Sequence, residues 1–253
     1  MTVLAVEDLA KSYGGVAAVG GIDFTVAAGE MIALIGPNGA GKSTCFNMLS
    51  GQIRPDRGSI TLFGASLVGL PPRRIWRLGV GRTFQITATF SSMSVLENVQ
   101  MVLISYHHRL RALIPTARSL YRDEAMGLLT LVGIAHLSDR SCSTLAYGDL
   151  KRVELAMALA NDPKLLLMDE PTAGMAAKER IELMALTARI VAERKLAVLF
   201  TEHDMDVVFT HATRIVVMNR GRVVAEGDPR SVRENQQVQE IYLGTGAVYG
   251  AVQ

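Results

Sequence analysis

Gly36-Pro37-Asn38-Gly39-Ala40-Gly41-Lys42-Ser43-Thr44 fits the phosphate-binding pattern G-x-x-x-x-G-K-[ST] without a mismatch. Just before it, Met31 to Ile35 reads as a short buried strand; just after, Ser43 to Leu49 reads as a helix. The pattern needs both flanks. Glycines let backbone N–H groups turn inward around phosphate oxygens, and the helix start adds its partial positive charge. Lys42 can reach the β- and γ-phosphates, and the Ser43 hydroxyl can ligate Mg²⁺. A chance match in a Gly-rich turn is the bland alternative, and the fitting flanks argue against it.

Outward from this loop the chain alternates strands and helices. Val3 to Val6, Ile22 to Val26 and Ser59 to Leu62 read as further strands. Turn signals fall at Gly14-Gly15, Gly20-Gly21, Ala28-Gly29 and Pro55-Asp56-Arg57-Gly58. From about Ser94 to Gly133 the apolar residues fall at helical spacing, with a less ordered middle near Pro115. Leu150 to Leu159 is another helix and Lys164 to Met168 a strongly apolar strand. Lys178 to Val191 is helical, Leu196 to Phe200 is a strand, and Asp204 to Thr210 starts a helix. Asn219-Arg220-Gly221 reads as a hairpin turn, and Asp228-Pro229 as the start of a late helix. This alternation around a phosphate loop predicts an α/β fold with a mainly parallel sheet.

The chain has 253 residues and a formal charge of +2. That suits one substantial domain, or a domain with an inserted lobe. The charge is too small and too scattered to argue for nucleic acid as a partner. Two cysteines, Cys45 and Cys142, make no disulfide framework and point to a reducing compartment. Met1 to Ala10 carries Glu7 and Asp8 and does not read as a signal peptide. No apolar run approaches the ~20 residues that span a bilayer, so a membrane role is expected to come through a partner.

Leu165-Leu166-Leu167-Met168-Asp169-Glu170 is a buried strand ending in two carboxylates. In a chain with a phosphate loop, Asp169 suits the carboxylate that organises Mg²⁺, and Glu170 can polarise an attacking water as general base. An exposed acidic pair at a strand end is the alternative reading.

These motifs, taken in order, resemble the nucleotide-binding subunit of ATP-binding cassette (ABC) transporters. The resemblance spans roughly Val3 to Leu243. It implies a P-loop NTPase (RecA-like) core with an N-terminal antiparallel β subdomain and an inserted helical subdomain. Residues 1–85 and 160–243 would form the catalytic core, 86–159 the helical subdomain, and 244–253 a tail. Tyr13 sits where the family stacks an aromatic ring on adenine. Gln85, in Gly81-Arg82-Thr83-Phe84-Gln85, matches the loop glutamine that joins core to helical lobe and touches the metal. Leu145-Ala146-Tyr147-Gly148-Asp149 stands where families write L-S-G-G-Q. Pro171 to Ala176 matches the loop after the catalytic Glu, and His203 matches the histidine that senses the γ-phosphate.

Two places depart from the pattern. Ala146 replaces a serine, Tyr147 a glycine and Asp149 a glutamine; Ala176 stands where many members have aspartate. Ala146, Tyr147 and Gly148 could still offer backbone N–H groups to a phosphate held by another chain.

The resemblance implies ATP and Mg²⁺ as cofactors and a nucleotide sandwiched between Lys42 of one subunit and Gly148 of another. Closure would align Glu170, water and His203, and Gln85 would pass the motion to the helical lobe. Arg82 to Gln85, Ser94-Val95-Leu96-Glu97-Asn98, Glu202-His203-Asp204-Met205 and Ile241-Tyr242-Leu243-Gly244 are similar to one subgroup, the importers of branched-chain amino acids and of urea or amides. Such a subunit would work at the cytoplasmic face of the bacterial inner membrane. Its partners would be transmembrane permeases, a second ATPase subunit (the same or a different chain) and, indirectly, a periplasmic solute-binding protein. Ile86 to Met93, with Phe90, is the candidate permease contact; a mobile polar loop is the other reading. The lipopolysaccharide-export ATPase shares the tail and is the competing assignment.

Other classes fit less well. A GTPase would need N-K-x-D, and the chain has no Asn-Lys pair. Soluble ABC-type ATPases usually carry two cassettes or a long coiled-coil insertion. A poorly hydrolysing regulatory subunit fits the Ala146 and Ala176 departures but not the intact Lys42, Asp169, Glu170 and His203. Cys45, beside the phosphate loop, is either a thiol whose alkylation stops activity or an inert buried side chain.

Overall fold

The computed structural model describes residues 1–83, 89–107 and 119–243. Gln85, Pro115 and the 244–253 tail lie outside the described residues, as do residues 86–88 of the candidate permease loop. In chain order the elements are β1 (Thr2–Tyr13), β2 (Val16–Ala27), β3 (Met31–Ile35), α1 (Lys42–Leu49), β4 (Arg57–Leu62), β5 (Ala65–Ser66), α2 (Pro72–Arg77) and β6 (Val80–Thr83). Then follow α3 (Val95–Tyr106), α4 (Arg122–Leu131), α5 (Tyr147–Leu159), β7 (Leu165–Asp169), α6 (Ala177–Arg194), β8 (Ala197–Thr201) and α7 (Met205–His211). The chain closes with β9 (Arg214–Asn219), β10 (Arg222–Gly227), α8 (Pro229–Glu234) and α9 (Gln236–Leu243).

Two sheets result. One is antiparallel, in the order β2-β1-β4-β5; the other runs β10-β9-β3-β8-β7-β6 and is parallel except for the β9–β10 hairpin. The strands of the parallel sheet are apolar at nearly every position because both faces are covered. Met31, Ala33 and Ile35 of β3 point into one core with the helices, and Ile32 and Leu34 into a second core shared with the antiparallel sheet and α1. β7 and β8 divide the same way, Leu166, Met168, Val198 and Phe200 against Leu165, Leu167, Ala197 and Leu199. The predicted α/β fold with an antiparallel β part stands.

Helices α3, α4 and α5 pack together between β6 and β7. Ser94 opens α3 with a reciprocal capping box: its hydroxyl accepts from Glu97 N, and Ser94 N donates to the Glu97 carboxylate. Asn98, buried in α3, bonds both Phe90 N and Phe90 O. Phe90 itself is 54% exposed.

Some local readings change. Gly20-Gly21 is not a turn. It lies inside β2, where Leu9 pairs with Ile22 and Ala10 with Gly20, so Gly21 is the extra residue of a bulge. α2, β6 and α9 are helices and a strand that periodicity does not reveal. α5 starts at Tyr147, three residues before the predicted Leu150, so Tyr147, Gly148 and Asp149 form its first turn.

Arg214 fastens the two sheets. Its guanidinium donates to both Glu30 oxygens, at 2.8 and 3.1 Å, and to Thr25 O at 2.6 Å. Burial pushes the Glu30 carboxyl up, but the Arg214 bonds, the Ala27 N–H and the Arg214 charge together hold it below its usual value.

Candidate functional site

The loop between β3 and α1 fits because its glycines let neighbours approach. A Cβ on Gly36 would stand 2.1 Å from Met218 O, and one on Gly41 2.2 Å from Ala18 O, with φ +151° and +104°. Gly41 is also the N-cap of α1 and adopts the left-handed region. Lys42 folds back over the loop, its ammonium donating to Gly36 O at 2.7 Å and Pro37 O at 3.2 Å. Burial pulls the Lys42 pKa down, and the Glu170 and Asp169 carboxylates oppose that shift.

Asp169 and Glu170 reach the same place from the end of β7. The Thr201 hydroxyl at the end of β8 donates to Asp169 Oδ1 at 2.8 Å, and accepts from Glu170 N at 3.0 Å. Arg82, from the end of β6, lies 3.5 Å from Asp169 Oδ2. The same guanidinium donates to Asn47 Oδ1 at 3.0 Å and Ser50 Oγ at 2.5 Å, so it ties β6 to the far end of α1. Burial lowers the Arg82 pKa, against the pull of Asp169. Glu170 carries φ +48°, a left-handed backbone that costs a non-glycine residue of order 1 kcal/mol. Its side chain meets His203, whose Nε2 lies 2.9 Å from Glu170 Oε1.

One open cleft of about 300 Å³ gathers these groups. Tyr13, Ala18, Asn38 to Thr44, Asp169, Glu170 and His203 line it. Tyr13 enters from the end of β1 as a half-exposed ring, with Lys11 Nζ 5.6 Å from its centroid. Gly36 and Pro37 form the back of the loop, where their carbonyls receive Lys42. Ala146, Tyr147 and Gly148 are not part of this cleft. They begin α5, where Ala146 provides no side-chain cap. The Tyr147 ring lies against Gly174, and the Glu179 carboxylate against Gly148.

Cys45 has the surroundings of an inert thiol. It is fully buried in α1, and burial pushes its pKa up to about 12, so alkylation sensitivity at this position is not expected. Sequence reasoning missed Arg82, Thr172, Thr201 and Glu202 as parts of the site. Arg82, Thr172 and Glu202 stand inside the quoted motif runs and Thr201 just before one, but their partners come from other strands and loops.

A family model described as "ABC transporter" matches residues 19–173. The chain belongs to that family. A second model, described as "Branched-chain amino acid ATP-binding cassette transporter", matches residues 222–248 of the cassette. The cassette is 39% identical over 252 residues to the high-affinity branched-chain amino acid transport ATP-binding protein LivG of Salmonella typhimurium, covering 96% of this chain and 98% of that protein. Among solved structures it is similar to the ADP conformation of MJ1267, an ATP-binding cassette of an ABC transporter. The TM-score is 0.86, with 29% identity over 96% of this chain and 99% of that one. It is also similar to a dimeric, post-hydrolysis cassette, MJ0796 bound to ADP and Pi (TM-score 0.76, 25% identity, 90% of this chain and 99% of that one). The cassette is an ATPase whose hydrolysis of ATP is coupled to transport. Among the described residues no helix is long and apolar enough to cross a membrane.

Proposed function

We propose that this chain is the ATP-hydrolysing subunit of an importer of branched-chain amino acids. One observation supports the catalytic part: a single cleft collects the phosphate loop, Asp169, Glu170, His203 and Tyr13. The match over residues 222–248 and the likeness to LivG support the solute, and favour import over lipopolysaccharide export.

Each side chain then has a role. Tyr13 stacks on adenine. Backbone N–H groups from Asn38 to Thr44 take the phosphates, with Gly36 and Pro37 shaping the loop behind them, and Lys42 leaves the Gly36 and Pro37 carbonyls for the phosphates. Ser43, Asp169 and Gln85 would hold Mg²⁺. Ser43 and Asp169 line the same cleft and offer hard oxygen donors, which fits that ion. When bound, the metal supplies charge neutralisation at the phosphates. Thr201 and Arg82 set the rotamer of Asp169 beforehand. Glu170 takes a proton from the attacking water, and His203 fixes the Glu170 carboxylate while facing the γ-phosphate.

The start of α5 serves a second subunit. Its N–H groups meet the nucleotide of a partner ATPase chain, through Ala146, Tyr147 and Gly148. The subunit is peripheral, docked on permeases at the cytoplasmic face of the inner membrane through the segment around Phe90 and Gln85. A periplasmic binding protein delivers the solute to those permeases.

The test is uptake of labelled leucine, isoleucine and valine by proteoliposomes holding the whole transporter. Wild type takes them up with ATP. Glu170→Gln binds ATP but loses turnover and uptake by about 100-fold or more. Unchanged turnover in Glu170→Gln overturns the general-base role. Turnover stimulated by other solutes, and not by these three, overturns the substrate.

A further inference from the structure

Glu202 is a buried carboxylate, 5% exposed, between Thr201 and His203 at the end of β8. Its Oε1 accepts two bonds from one residue: Thr172 N at 2.9 Å and the Thr172 hydroxyl at 2.7 Å. Its Oε2 accepts from His203 N at 3.2 Å. Thr172 is 1% exposed and lies two residues after Glu170. Among the described residues no lysine or arginine pairs with Glu202. Burying a carboxylate on backbone and hydroxyl donors alone is costly, and a neutral side chain would fill the space at less cost. A cost of that kind needs a geometric return.

The return is visible in what the three bonds join. One is to the backbone of His203, whose ring meets Glu170. The other two are to the loop that leaves Glu170, runs through Gly174 under the Tyr147 ring and reaches the start of α6. Thr201 makes the matching stitch one residue earlier, to Asp169 and Glu170. The end of β7 and the end of β8 are therefore cross-bonded at successive residues.

We propose that Glu202 is a positioning residue for ATP hydrolysis. Its carboxylate holds His203 and the 171–176 loop in one frame, so that the imidazole meets Glu170 only while that loop is in place. This rests on the reading of Glu170 and His203 given above.

Glu202→Gln is the direct test. Glutamine keeps one acceptor but turns an N–H₂ toward an N–H donor, so one of the three bonds is lost and two donors face each other. In the assembled transporter, kcat should fall about tenfold or more, because small misplacement of a reacting group is enough to do so. The ATP concentration for half-maximal rate should stay within about threefold. In a His203→Ala background the Glu202→Gln change should cost little more, because the group it positions is gone. Amide hydrogen exchange of the purified chain should rise at Thr172 and His203 while the core strands keep their protection. Thr172→Val, which removes the hydroxyl donor and keeps the backbone bond, should give a loss of about threefold even if Glu202→Gln folds poorly. Wild-type kcat in both variants overturns the proposal, as does an equal loss with and without His203, or unchanged exchange at both amides. The exchange measurement needs no turnover. It therefore decides the clamp separately from the hydrolysis reading, which fails if the wild-type transporter shows no ATP turnover.

Discussion

The phosphate-loop cleft and the start of α5 are built on opposite plans. In the cleft every charged group already has a partner within the chain: Lys42 on two carbonyls, Asp169 on Thr201 and Arg82, Glu170 on His203. At the start of α5 the N-cap is Ala146, which offers no side-chain acceptor to the first N–H groups. What lies there is packed from behind, by Glu179 against Gly148 and by Gly174 under Tyr147. One region is preorganised before a ligand arrives. The other starts with N–H groups for which its own N-cap side chain supplies no acceptor. On the proposed reading their acceptor is a phosphate in a second subunit's cleft.

The largest effect should come from attacking the preorganised region at its tightest point. Gly41→Ala would place a Cβ 2.2 Å from Ala18 O at φ +104°. Both terms oppose it, and we expect a loss of about 2–4 kcal/mol in stability together with loss of ATP binding. Thermal unfolding and nucleotide binding of the single chain check this. A Gly41→Ala chain that binds ATP normally would break the comparison, because the loop would then be adaptable rather than preset.

Gly148→Ala probes the other region. Its backbone is helical, so the substitution meets no φ penalty. The new Cβ would stand 3.0 Å from Glu179 Oε1, and Glu179 also bonds Ala176 N at 3.3 Å. The single chain should bind ATP as wild type, with a stability change of about 1 kcal/mol or less. Turnover of the assembled transporter should fall about tenfold, since the surface offered to the partner is displaced. Weaker ATP binding by the isolated chain would show that the two regions are not separate.

This contrast also explains what the sequence could reveal. The phosphate loop and the strands β3, β7 and β8 were legible because their requirements are local: glycines at fixed offsets, and apolar side chains on both faces of a covered sheet. α2 and β6 were not. α2 is six residues long and half arginine, and β6 holds two apolar or small residues beside Arg82 and Thr83. The bulge at Gly21 looked like a turn because glycine with φ above zero serves both. The clamp at Glu202 was beyond reach for a different reason. Its partner, Thr172, is 30 residues away and becomes a neighbour only because β7 and β8 pair in parallel register. A buried acid has no signature of its own in a sequence.

Ala146→Ser should give the smallest effect and the finest test of the contrast. Serine at an N-cap accepts from an N–H two or three residues on and typically stabilises by about 1 kcal/mol relative to alanine. In the chain alone, that predicts a rise of about 2–4 °C in Tm, because the orphan donors of α5 gain an internal partner. The same bond would have to be given up, or shared, when a phosphate arrives from the partner subunit. Turnover should therefore change by less than about threefold, the new hydroxyl contact being offset by the cap it displaces. A rise in turnover of tenfold without any gain in Tm would mean that the hydroxyl never caps its own helix. Alanine at this position would then be a brake on catalysis, and the start of α5 would be set by its partner rather than by its own backbone.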